Sequence, residues 1–128
     1  MRTLFLLLLL TLPALFVAPV PAPAQVPHGP YDRTLKNMLD AVQSNSYDQF
    51  MAGADGKFKA GFTPAMFESL SRQLGPKLQQ GYALTFLTTL NQQDYVVYVW
   101  KLVLKDVQDD YLITLFTRNG NVSGFVAR

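Results

Sequence analysis

The chain has 128 residues, 49% of them hydrophobic, with 11 Lys and Arg against 9 Asp and Glu and no Cys. That length suits one compact domain behind a short leader. The absence of Cys excludes a disulfide framework or a thiolate zinc site. The basic residues are scattered singly, which excludes a nucleic-acid footprint despite a pI near 9.0.

Met1-Arg2 supplies a small positive region, Leu4 to Leu12 is an apolar run, and Ala22-Pro23-Ala24 has the small-x-small pattern cut by signal peptidases. Residues 1–24 are therefore expected to be a signal peptide, with a mature start at Gln25 and a secreted or periplasmic location. A retained anchor is the alternative, since Thr3 to Val20 approaches a spanning length, but Pro13, Pro19 and Pro21 count against it. Without Arg2 the chain carries ten Lys and Arg against nine Asp and Glu. Residues 25–30, with His28 and Gly29 between prolines, read as a linker, and the domain spans 31–128.

Leu35, Met38, Leu39 and Val42 fall at i, i+3, i+4 and i+7, one stripe of an amphipathic helix for which Asp32 is the expected N-cap. A second helix is expected from Ser46 to Ala54, ended by Asp55-Gly56. A third starts at Thr63-Pro64, buries Met66, Phe67, Leu70 and Leu74, and stops at Gly75-Pro76.

Strand periodicity follows: Tyr82 to Leu90, a turn over 91–94, Tyr95 to Lys105, a polar turn over 106–110, Tyr111 to Arg118, and a short last strand. In the second of these, Val96, Tyr98, Trp100, Leu102 and Leu104 form a charge-free face expected to meet the helices. Tyr95, Val97, Val99, Lys101 and Val103 form the face expected to be exposed. Asn119-Gly120 fits a type I′ hairpin turn, which would pair Thr117 with Val122, Leu115 with Gly124 and Ile113 with Val126. Gly124 within a strand signals a bulge or a close approach, with Leu115 or a helix residue as the expected neighbour. The fold class is α+β, N-terminal helices packed on a curved antiparallel four-stranded sheet.

Three helices, a meander containing Tyr95-Val96-Val97-Tyr98-Val99-Trp100-Lys101-Leu102, then Asp109-Asp110 and a terminal Arg118-Asn119-Gly120-Asn121-Val122-Ser123-Gly124-Phe125 resemble the nuclear transport factor 2-like superfamily, the cystatin-like cone fold. More narrowly, they resemble its small exported domains of unknown function. The resemblance implies a cone-shaped sheet wrapped on helices. Ketosteroid-isomerase-like and dehydratase-like enzymes share that frame with binding modules, and the enzymes work between sheet and helices with Asp, His or Tyr.

The chemistry-bearing residues are few. The one His, His28, precedes the domain, and the one Glu, Glu68, lies on a helix. A general base would have to be Asp94 or Asp110, working with Tyr82 or Tyr98, yet aspartates at strand ends ordinarily cap turns. Asp106, Asp109 and Asp110 lack calcium-loop spacing, no metal ligand set or cofactor motif is present, and Ser123 has no histidine base. Asn121-Val122-Ser123 matches the glycosylation pattern by chance frequency alone. Tyr82, Phe86, Tyr98, Trp100, Phe116 and Phe125 either line an apolar ligand cavity or fill the core. Tyr95, Val97, Val99, Lys101 and Val103 are the expected interface of a homodimer or with a partner protein, with Val99 the position where an added charge would split it. The functional expectation is a non-enzymatic exported binding module, and the alternative is a small cavity enzyme.

Overall fold

The computed structural model describes residues 29–128; the expected leader and residues 25–28 lie outside them. The elements are α1 (Asp32–Ser44), α2 (Tyr47–Phe50), α3 (Gly56–Gly61), α4 (Pro64–Gln79), β1 (Tyr82–Gln92), β2 (Tyr95–Leu104), β3 (Tyr111–Arg118) and β4 (Asn121–Ala127). The strands form one antiparallel sheet in chain order, and the helices pack on one of its faces, which makes the fold α+β.

In α1 the expected stripe of Leu35, Met38, Leu39 and Val42 is buried. Asp32, however, does not cap the helix. Tyr31 occupies the cap position without a side-chain bond, and the Asp32 carboxylate instead accepts a hydrogen bond from Trp100 Nε1 at 2.8 Å. The tie fastens the first turn of α1 to β2. Gly29 already belongs to the fold: a Cβ there would lie 3.0 Å from the Phe86 ring.

The expected second helix is one turn long, capped by Ser46. Asp55 begins a helix instead of ending one, its carboxylate accepting from Phe58 N at 2.9 Å. Phe50 sits among the rings of Phe62, Phe67 and Phe125 at 5.0–5.4 Å and Phe58 at 6.4 Å. A single turn cannot sustain itself in water, so these contacts hold α2 in place.

The helix beginning at Thr63-Pro64 runs on past Gly75-Pro76 to Gln79. Pro76 removes one helical N–H, a cost that the burial of Leu74 and Leu78 on either side offsets. Gly75 marks a helix crossing: a Cβ there would stand 3.0 Å from the Val42 carbonyl oxygen, which also accepts the Ser71 hydroxyl at 2.6 Å. Met66, expected inside, is exposed.

Asn119 and Gly120 both have positive φ, as a type I′ turn requires, and Thr117 faces Val122. A bulge then shifts the register by one, so Leu115 faces Phe125 and Ile113 faces Ala127, in place of Gly124 and Val126. The close neighbour of Gly124 is Phe116, whose ring would stand 3.2 Å from an added Cβ. A second bulge interrupts β1 between Phe86 and Thr88. Part of the outer edge of β4 is covered, because Val122 N donates to Gly53 O and Asp55 N donates to Val122 O, both at 2.8 Å.

Candidate functional site

Strand register assigns the aromatic candidates to two different places. Trp100 is buried in the core, with Phe86 edge-on at 5.6 Å and Tyr98 at 6.2 Å; Tyr31 lies 4.7 Å from Tyr98. Phe125 packs edge-on against Phe50 on the same side. Phe116 does not join them. It is paired with Val97 and Gly124 and meets Tyr95 edge-on at 6.3 Å, on the sheet face turned away from the helices. The inner aromatics pack against the hydrophobic core between the layers. Grooves of about 280–350 Å³ lie between α2 and α3, beside the start of β1, and among α1, α2 and β4; of the six aromatics only Tyr82 lines one of them.

Tyr82 is partly buried, and that burial, with Asp40 nearby, pushes its phenol pKa up. It pairs with Leu104, whereas Asp94 lies in the turn at the other end of the β1–β2 hairpin, so these two groups are not brought together. Asp94, Asp106, Asp109 and Asp110 are all exposed in turns. Among the described residues no group of three His, Cys, Asp or Glu side chains could hold a metal ion. No described helix is long and apolar enough to cross a membrane.

The outer face of the sheet carries most of the exposed large hydrophobic side chains among the described residues. Leu87, Leu90, Val126 and Val103 are 49%, 43%, 40% and 36% exposed, and Phe116 and Leu112 are partly so. Val97 and Val99 share this face but are only 2% and 8% exposed, which corrects their assignment as accessible interface residues. The reason is register. In the second strand of the sheet Val97 is flanked by Leu90 and Phe116, and Val99 by Thr88 and Thr114, so both valines are enclosed by neighbours on two sides. Lys101 and Arg118 are the charged residues on these strands at outward positions, and both are cations.

Tyr95, at the end of the same face, is the centre of a charged cluster that sequence spacing did not disclose. Lys57 Nζ, from α3, donates to the Tyr95 hydroxyl at 2.8 Å and lies 5.5 Å from the ring centroid, while the Arg118 guanidinium lies 5.8 Å from it. The Lys57 hydrogen bond first, and the nearby Arg118, pull the phenol pKa below its ordinary value. Thirty-eight residues separate Lys57 from Tyr95, so only the docking of α3 beside the sheet brings them together.

Beside this cluster Asp55 holds two layers together: its carboxylate accepts a short hydrogen bond from the Ser123 hydroxyl as well as the cap bond from Phe58 N. The Ser123 bond, then the Phe58 N–H, lower its pKa from 3.8. A carboxylate whose folded pKa is depressed stabilises the fold above its unfolded pKa, and that contribution is lost as pH falls through the folded value. Asp55→Asn keeps a good capping residue but removes the charge. The wild type should therefore have the higher urea midpoint at pH 7, with the difference narrowing steadily below pH 3.8. An unchanged difference at pH 3 would show that the carboxylate charge is not what the two bonds exploit.

No protein-family model matches the sequence, and the search of curated proteins finds no match. Among solved structures, TerC co-crystallized with polyporic acid is similar at 13% identity over 78% of this chain and 91% of that chain, with a TM-score of 0.45. A likeness of that size carries no argument about this chain.

Proposed function

We propose that the chain is an exported, non-enzymatic interaction module of the nuclear transport factor 2-like kind that self-associates through the outer face of its sheet. The observation that carries the reading is the uncovered apolar surface of Leu87, Leu90, Val103, Phe116 and Val126 on the side away from the helices. Exposed apolar surface of this continuity is characteristic of interaction sites. A second copy is the occupant argued for, because an isologous contact needs only one self-complementary patch.

Size sets the strength. With the eight residues of β3 as a guide, the face is about 26 Å long, and four strands span about 19 Å, a footprint of about 500 Å². A standard interface buries about 800 Å² per partner, so the association belongs to the weak, transient class. The outward charges, Lys101 and Arg118, repel across such a contact, and added salt should strengthen it by screening them.

Sedimentation of protein recovered from the exported fraction, with an intact mass beginning at Gln25, tests both halves of the proposal. Val103→Lys and Val126→Lys, at exposed positions where substitution perturbs folding little, should shift the dimer to monomer at equal concentration. Val99 is unsuitable for this purpose because a charge there would be buried. A wild type that remains monomeric up to millimolar concentration in both low and high salt, or association that both variants leave unchanged, would overturn the sheet-face interface. Self-association that weakens with salt would mean that attraction between opposite charges, and not the apolar face, holds the copies together.

A further inference from the structure

The cluster at the end of the outer face has a property that the fold does not require. Lys57 and Arg118 converge on one phenol, yet neither forms an ion pair with a carboxylate among the described residues. Asp55 is the acidic group whose field they share, and its oxygens are already engaged by Ser123 and the Phe58 N–H. Two like charges held near each other repel, and an ordinary surface would relieve this by letting the long side chains swing apart. Here Tyr95 gathers them, as a hydrogen-bond acceptor for one and a ring face for both.

The geometry points to a binding site for a tetrahedral oxyanion of the phosphate class, held by Lys57, Arg118 and the Tyr95 hydroxyl. The guanidinium offers two parallel N–H donors matched to two oxygens of such a group, and the ammonium supplies a point charge. The phenol would donate to the anion while accepting from Lys57. With the Asp55 carboxylate nearby the cluster is cationic by one charge, so the preference for phosphate over a spherical monoanion such as chloride rests on the paired guanidinium donors. The Lys77–Tyr111 pair provides an internal contrast. Lys77 Nζ lies 3.2 Å from the Tyr111 hydroxyl and 5.7 Å from its ring, but among the described residues no second cation lies over that ring.

The anion could be free phosphate or the headgroup of a lipid, and the test separates them. Inorganic phosphate is titrated into the purified protein at constant ionic strength, and backbone amide shifts are followed by NMR. Saturable shifts centred on Lys57, Tyr95 and Arg118 are expected. The double variant Lys57→Gln/Arg118→Gln should weaken the binding at least tenfold, and Lys77→Gln should leave it unchanged. Tyr95→Phe keeps the ring but removes the donor and should weaken it severalfold. In a second arm, vesicles of phosphatidylcholine with and without phosphatidic acid are sedimented with the protein. Capture that depends on phosphatidic acid and on Lys57 and Arg118 assigns the site to a headgroup, whereas phosphate saturation without capture assigns it to a soluble anion. Shifts that spread over all lysines without saturating, or binding equally lowered by Lys77→Gln, would overturn the site, as would the absence of binding in both arms. Lys57, Lys77 and Arg118 are exposed and Tyr95 is half-buried, and a loss of binding in a variant with an unchanged NMR spectrum elsewhere cannot be attributed to unfolding.

Discussion

Replacing Trp100 with Ala should lower the unfolding free energy by about 3–5 kcal/mol, the range for deleting a buried large aromatic. The loss has two sources. The indole fills the space bounded by Phe86 and Tyr98, and its N–H donates to the Asp32 carboxylate, a bond that the substitution removes. Trp100→Phe, which keeps a ring but drops the donor, should cost clearly less. Lys101→Ala, one residue along on the opposite face, should change stability by less than about 0.5 kcal/mol. Urea denaturation followed by circular dichroism is the appropriate measurement, because Trp100 is the one tryptophan in the chain and fluorescence would vanish with it. Equal midpoints for the Ala variants at 100 and 101 would mean that β2 is turned over.

Phe50→Ala should be comparably damaging, at about 3–5 kcal/mol. Four other phenylalanine rings surround this side chain, and each aromatic contact adds about 0.5–1.5 kcal/mol beyond area burial. Phe50→Leu conserves most of the volume and should cost less than about 1.5 kcal/mol. The two variants also differ in where the damage appears. Because α2 is a single turn pinned by this ring, hydrogen exchange in Phe50→Ala should accelerate over residues 47–62 well before it does in the sheet. Uniform acceleration across all strands would show that the short helices and the sheet unfold as one unit.

The parts of this structure that sequence discloses are those governed by local rules. The Asn119-Gly120 turn needs two positive φ angles and has them, and Thr63 with Pro64 starts α4 because both serve the first turn. Strand order follows from short turns joining consecutive strands. What sequence conceals is decided by contacts made at a distance. Pro76 resembles a stop until Leu78 is seen to be anchored in the core, and Asp32 resembles a cap until Trp100 claims its carboxylate. The bulges at Phe86/Thr88 and Phe116/Thr117 each break the two-residue alternation, so a face counted through them is wrong beyond the break. The candidate surface was legible as a row of residues in β2, but its accessible members lie mainly on the neighbouring strands. The Lys57–Tyr95–Arg118 cluster was not legible, because its residues share no spacing signal and meet only after α3 docks beside the sheet.

Two of the side-chain ties between the helical segment and the sheet, Trp100 to Asp32 and Ser123 to Asp55, each join residues 68 positions apart. The sheet itself is made of neighbours in sequence, so its hairpins can form early and cheaply. Both ties run in the same sense along the chain, Asp32 preceding Asp55 as Trp100 precedes Ser123, like two buttons on one flap. Fastening one shortens the stretch of chain that the other must close, but because closure cost grows only with the logarithm of loop length the saving is under about 0.6 kcal/mol. Severing one tie should therefore shorten the lifetime of the closed state more than it slows closure.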